Sequence, residues 1–296
     1  MSAIYSPDGE YLPLFTKVVC EIGVESWLMH VEKGMRDTLK RKLMGTHLGI
    51  KKKDAQGMKW VDKWVQSWPG QLLITASQIF WTNESFNAIN QIYNSEKPDK
   101  ARAWKTAREE KRNFIEEMTR LVRKPSSDVD RQKVVALITV MVHSRDIMEQ
   151  LYKTCVSPNS FDWMKQLRYY FTPQSESYDC YVEHINTFKF PYGFEYQGNN
   201  GRLVATGLTD RCYMTLTAAM MLKKGGAPQG PAGTGKTETV KDLGKGLAKF
   251  VLVFNCSDGL DYKYLGRMFS GLMQTGCWGC FDEFNRIELE VLSVVA

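Results

Sequence analysis

The chain has 296 residues, and 39 basic against 33 acidic side chains leave a net charge of +6. Hydrophobic residues make up 43% and charged residues 24%, a globular balance that excludes wholesale disorder or a collagen-like repeat. No run approaches the roughly 18–20 apolar residues of a membrane helix, the polar start with Pro7 and Gly9 is no secretory signal, and the charge bias is too mild for a nucleic-acid footprint. Neither a membrane nor a direct nucleic-acid partner is expected. The length suggests two domains. Seven cysteines without a signal point to reduced thiols in an intracellular compartment.

Val24, Trp27, Leu28, Val31, Met35 and Leu39 recur at three- and four-residue steps. This spacing predicts a helix from about Gly23 to Met44, with Gly45 and Gly49 opening a loop. Lys51-Lys52-Lys53 reads as a solvated part of that loop. Trp60, Trp64 and Trp68, closed by Pro69-Gly70, read as a helix face packed into a core rather than a base-stacking platform. Further helices are expected over about Gln71 to Tyr93, Lys100 to Val122 and Val129 to Val156. The stop-and-cap signal Pro125-Ser126-Ser127-Asp128 separates the last two. One more short helix is expected from Phe161 to Phe171. Helices joined by short turns make a helical bundle.

The pattern changes near Ser177. Tyr178 to Phe190 is β-prone, and strands and helices then alternate, which implies an α/β layer with a parallel sheet. Strands are expected near residues 226–229, 250–254 and 278–281. Cys277-Trp278-Gly279-Cys280 has the spacing of a redox or zinc half-site, but it reads better as a buried strand, on which residues three apart point to opposite faces.

Gly230-Pro231-Ala232-Gly233-Thr234-Gly235-Lys236-Thr237 fulfils G-x-x-x-x-G-K-[ST] and is followed by a helical pattern over Thr237 to Lys249. Its glycines permit positive φ and let backbone N–H groups close on phosphate. The following helix points its positive end there. Lys236 should reach the β- and γ-phosphates, and the Thr237 hydroxyl should ligate Mg²⁺. A short apolar strand then ends in Asp282-Glu283. Asp282 would hold the metal's water shell, and Glu283 would orient and deprotonate the attacking water. That pair favours a water-activating ATPase. No Asn-Lys-x-Asp guanine-reading motif occurs.

Three stretches, Gly225 to Thr239, Phe254-Asn-Cys-Ser-Asp258 and Cys277-Trp-Gly-Cys-Phe-Asp-Glu-Phe-Asn-Arg286, together resemble the first AAA+ module of a dynein heavy chain. Arg202-Leu-Val and Leu208-Thr-Asp-Arg-Cys-Tyr213 resemble the segment over the adenine in that module. Val24-Glu-Ser-Trp-Leu28, Trp68-Pro-Gly-Gln71 and Asp162-Trp-x-x-Gln-Leu-Arg-Tyr-Tyr170 resemble the dynein linker. The combination is similar to axonemal rather than cytoplasmic dyneins.

The resemblance implies a helical-bundle linker over residues 1–185, followed by a truncated P-loop AAA+ α/β domain over 186–296. It implies ATP and Mg²⁺ as cofactors, held by Gly230 to Thr237 with Glu238 alongside. Thr237 and Asp282 would serve the metal, Glu283 would be the catalytic base, and Val204 and Leu208 would border the adenine. Gly207 stands where the family usually has Pro, a departure that bears on how tightly the base is read.

In the full motor the resemblance implies ATP hydrolysis coupled to linker movement toward microtubule minus ends. The location would be the cytoplasmic cytoskeleton, in the axoneme of a cilium or flagellum. Expected partners are microtubules, the remaining AAA+ modules, and intermediate and light chains. The fourth strand, the sensor residues, the helical lid and the arginine finger have no counterpart in these 296 residues. A polypeptide of these residues alone is therefore expected to bind nucleotide with little turnover. The alternative is a non-motor nucleotide-binding protein that docks on dynein partners.

Overall fold

A computed structural model describes residues 1–20, 23–51, 59–173, 179–185, 188–199, 201–231, 233–256 and 260–295. The chain divides into two compact units, Met1–Gly226 and Ala227–Ala296.

The first unit opens with a hairpin, β1 (Ala3–Tyr5) against β2 (Tyr11–Pro13), turned at Gly9 with φ 81°. Five longer helices follow: α1 (Val24–Lys51), α2 (Lys59–Ser67), α3 (Gly70–Tyr93), α4 (Lys100–Val122) and α5 (Asp128–Thr154). Their starts are set by local chemistry. Asp99 accepts the Arg102 N–H at 3.0 Å and caps α4. Ser127 accepts the Asp130 N–H at 3.1 Å and caps α5. Each such cap satisfies a helix donor that has no internal acceptor, worth roughly 1 kcal/mol.

Trp81, Ile89, Trp104, Met148, Leu151 and Trp163 are buried in one core cluster, contributed by α3, α4, α5 and the short α6 (Phe161–Met164). The Trp81 indole donates to the Ser144 carbonyl at 3.2 Å, so its polar edge is satisfied within that core. The tryptophan stripe of α2 also faces inward: Trp60 and Trp64 lie with ring centroids 5.7 Å apart, and both meet Phe114 of α4.

The first helix does not end at Met44 as its spacing predicts. α1 runs on through Gly45 and Gly49 because those glycines are contact points and not breakers. A Cβ on Gly45 would overlap the Trp68 ring, and one on Gly49 would lie 2.8 Å from Trp64 Cδ1. Bare backbone lets the two indoles lie against the helix, and the Trp64 N–H donates to the Thr46 carbonyl at 3.1 Å. Of the triple-lysine run, Lys52 and Lys53 lie outside the described residues.

The helix expected from Phe161 to Phe171 is also corrected. α6 stops at Met164, and Arg168–Thr172 forms β3. This strand pairs antiparallel with β4 (Asp179–His184), which pairs antiparallel with β5 (Phe188–Pro191). Tyr170 sits directly opposite Tyr181 and stacks on it at 5.3 Å, a cross-strand aromatic pair that favours strand over helix. The Tyr169 N–H donates to Thr82 of α3 at 3.0 Å and ties the sheet to the helices.

On β4, Cys180, Val182 and His184 alternate inward. His184 joins three elements, with Nε2 2.8 Å from the Lys165 carbonyl and Nδ1 2.8 Å from the hydroxyl of Thr217 on α7 (Gly207–Met221). A carbonyl only accepts, so the neutral ring carries its proton on Nε2. Burial pushes the His184 pKa down to about 4, against 6.5 for the free side chain. The unfolded chain therefore binds the extra proton more readily. Stability is present above pH 6.5 and is lost as pH falls toward 4, by up to about 3 kcal/mol. Thermal melts at stepped pH should show the midpoint falling through this window, and His184→Gln should flatten that dependence.

The second unit contains α8 (Lys236–Gly246), β6 (Val251–Asn255), α9 (Tyr262–Thr275), β7 (Trp278–Asp282), a 3-10 turn (Phe284–Arg286) and α10 (Leu289–Val295). β6 and β7 pair in parallel, with Val251 opposite Trp278 and Asn255 opposite Asp282. Phe254 stacks on Phe281 at 5.2 Å, and Cys256, Leu265 and Ile287 close a small core beside them. The strand expected at 226–229 does not form. A strand needs a ladder partner; nothing among the described residues pairs with this segment, and Pro228 has no N–H to offer.

Candidate nucleotide-binding site

The site is built at one end of the β6–β7 pair. α8 packs there through Leu243 and Gly244, the latter pressed so close to Val251 that a Cβ would overlap that side chain. Its N-terminus follows the loop of residues 230–235, in which Gly233 and Gly235 hold φ of 75° and 77°. L side chains rarely adopt that backbone, so glycine is required at both turns. Thr234 Oγ1 donates to the Pro231 carbonyl at 2.9 Å and fixes the loop's curl. Ala232 lies outside the described residues.

The first turn of α8 offers N–H groups that a helix leaves without internal acceptors, together with the positive end of its dipole. Lys236 is the first residue of that turn, where a cation opposes the dipole. Its ammonium folds back onto the carbonyls of Gly230 and Pro231, at 2.9 and 2.7 Å. A cation and a helix N-terminus converging on one loop make electrostatic sense with a polyanion between them. Glu238, in the same turn, pairs with Lys241 at 2.6 Å and points its charge along the helix surface.

Asp282 is the last residue of β7. Its Oδ2 accepts the Thr237 hydroxyl at 2.9 Å, and its Oδ1 accepts the Glu283 N–H at 3.0 Å. One carboxylate thus joins the start of α8 to the end of β7. Thr237 and Asp282 bring hard oxygen donors side by side, the donor set that Mg²⁺ takes. Glu283 adopts a left-handed backbone, φ 54°, and turns the chain out of the strand. Its carboxylate is gripped at both oxygens by Arg286, at 3.0 and 2.8 Å. The sequence alone gives Arg286 no role, because its meeting with Glu283 depends on the left-handed turn and not on helical spacing.

The two other residues expected at the site belong to the first unit. Val204 and Leu208 stand 73% and 75% exposed there. Leu208 lies in the first turn of α7, where Thr206 and Thr209 form a reciprocal cap: the Thr206 N–H reaches Thr209 Oγ1 at 2.8 Å, and the Thr209 N–H reaches Thr206 Oγ1 at 3.4 Å. Gly207 is the first residue of that helix, a position where proline would be preorganised.

Cys256 follows the end of β6, and Cys280 is the middle residue of β7. Burial, with the Asp282 charge adding to it, pushes both thiols up. Raised thiols are poor nucleophiles and poor metal ligands. Among the described residues no group of three His, Cys, Asp or Glu side chains could hold a metal ion.

A glycine loop opening a helix, with a threonine bonded to the aspartate of an adjacent strand, defines the P-loop class of nucleotide-binding proteins. Residues 192–296 match the family described as the hydrolytic ATP binding site of the dynein motor region. Over 99% of its length the chain is 50% identical to dynein axonemal heavy chain 2 of Homo sapiens. It is 51% identical to the dynein-1-beta heavy chain of the flagellar inner arm I1 complex of Chlamydomonas reinhardtii, again over 99%. Dynein axonemal heavy chain 1 of Rattus norvegicus is 44% identical over 99%. The chain spans about 6% of the length of each of these relatives. Together these matches support a segment of a dynein heavy chain, similar in sequence to axonemal ones.

Proposed function

We propose that this chain supplies the principal ATP site of a ciliary or flagellar dynein motor. In this reading residues 1–185 are the C-terminal part of the linker, and residues 186–296 are the start of the first AAA+ module. In the complete heavy chain, hydrolysis at this site moves the linker and drives travel toward microtubule minus ends. The remaining AAA+ modules and the intermediate and light chains are its partners within the axoneme.

The observation that carries the reading is the bond from Thr237 to Asp282. It brings a P-loop hydroxyl and a strand-end carboxylate to one point, as Mg·ATP binding requires. Thr237 and Asp282 would hold Mg²⁺, which neutralises phosphate charge when bound. The loop 230–235 and the first-turn amides of α8 cradle the phosphates. Lys236 exchanges its two loop carbonyls for β- and γ-phosphate oxygens. Glu283 takes the proton of the attacking water at its carboxylate. The family resemblance assigns the adenine to Val204 and Leu208, which carry exposed apolar side chains in the first unit.

A polypeptide of these 296 residues should bind Mg·ATP saturably, lose most of that affinity when Mg²⁺ is chelated, and turn ATP over near background. The last expectation follows because stabilising charge on the γ-phosphoryl needs cations beyond Lys236 and Mg²⁺, and an arginine finger alone can be worth roughly 10³–10⁵ in rate. Calorimetric titration and a phosphate-release assay check both. A folded polypeptide that ignores Mg·ATP would remove the nucleotide reading, and brisk turnover would remove the claim of a low rate.

A further inference from the structure

We propose that Arg286 is a positioning residue that holds Glu283 out of service until the site is ready to hydrolyse. The proposal rests on Glu283 being the base. Three features of the turn support it. Both guanidinium arms meet the carboxylate, Nη2 on Oε1 at 3.0 Å and Nη1 on Oε2 at 2.8 Å, so neither oxygen is left without a donor. The left-handed backbone at Glu283 and the 3-10 turn that follows put the two residues on one face, three positions apart, so the pair closes within a single turn. The Glu283 N–H is meanwhile fixed to Asp282 Oδ1, so the side chain can rotate while the backbone stays tied to the strand end.

A base must direct a lone pair at water. A carboxylate bound at both oxygens by one fork is aimed at that fork instead. The pair is also solvent-exposed, with side chains 58% and 49% accessible. Exposed pairs of this kind favour the closed form by only about 1.5- to 5-fold and weaken with salt. Arg286 is therefore a gate that opens readily. Its removal should raise the fraction of molecules with a free Glu283 by about two- to six-fold.

The test is single-turnover ATP hydrolysis in a heavy chain that carries this sequence, comparing wild type, Arg286→Ala, Arg286→Lys and Glu283→Gln. Mg·ATP affinity is measured in parallel. Arg286→Ala should bind Mg·ATP as wild type does and hydrolyse it about two- to six-fold faster at low ionic strength. Arg286→Lys, which keeps the charge but not the fork, should fall between them. Raising salt should speed wild type toward the alanine variant and leave that variant unchanged. A merely structural role for Arg286 would not produce this salt dependence.

An Arg286→Ala protein that is slower than wild type, that loses Mg·ATP binding, or that shows the same salt response would overturn the gate. Full activity in Glu283→Gln would instead overturn the base assignment, so the two failures are distinct.

Discussion

Glu283→Gln should stop hydrolysis while leaving Mg·ATP bound. Glutamine matches the carboxylate in shape and can still accept one bond from Arg286, so the turn after β7 should persist. An amide does not take a proton from water at neutral pH, and a positioned general base is worth typically 10²–10⁴ in rate. Hydrolysis in a heavy chain carrying this sequence should fall by that factor, with the nucleotide dissociation constant changed by less than about threefold. Filter binding of labelled ATP, followed by quantifying ADP over time, separates the two quantities. Wild-type turnover in the variant would assign the base to another residue.

The second large effect is expected at Lys236. Among the described residues its ammonium meets two loop carbonyls, at 2.9 and 2.7 Å, and it is partly exposed. Lys236→Ala should therefore cost the fold little. In the bound state the same ammonium faces phosphate oxygens, and hydrogen bonds to charged groups contribute about 1.5–3 kcal/mol each. Mg·ATP should bind roughly 10- to 150-fold more weakly, with the thermal midpoint of the free protein nearly unchanged. Equal affinity in the two proteins would remove Lys236 from the phosphate site.

How far the sequence was legible depended on whether neighbours along the chain or across space decide the outcome. The loop from Gly230 to Thr237 is contiguous, so its chemistry could be read directly. The apolar spacing of α3 and the cap at Ser127 are equally local, and they placed those helices within two residues of their observed starts. Gly45 and Gly49 were read as breakers because glycine in isolation disfavours helix by about 1 kcal/mol. Their partners lie elsewhere, Trp64 on α2 and Trp68 just past its end, and only packing shows that the missing side chains are needed. Phe161 to Phe171 was ambiguous for the same reason: its aromatic residues suit either period, and pairing with β4 decides for a strand after Arg168. The 226–229 segment has a strand's setting without a ladder partner. Arg286 was hidden because its relation to Glu283 depends on a left-handed turn that no residue type announces. The β1–β2 hairpin was missed because its strands have three residues each, although Ser6-Pro7-Asp8-Gly9 carries a turn signal.

That hairpin has a consequence for how the first unit holds together. Pro69 provides no side-chain cap for α3. The Gly70 N–H donates instead to Oε1 of Glu10, 60 residues earlier, at 2.9 Å. The same buried carboxylate accepts Tyr196 Oη at 2.8 Å and lies 3.3 Å from the Lys133 ammonium. Undocking the hairpin strips a helix terminus of its acceptor and takes one of two carboxylates from the buried Lys133 ammonium, leaving it Asp130 at 3.4 Å. The start of α3 therefore cannot keep its protection against amide exchange while the hairpin is loose. Segments far apart in sequence open and close as one cooperative unit, and the exchange rate at Gly70 reports the state of both.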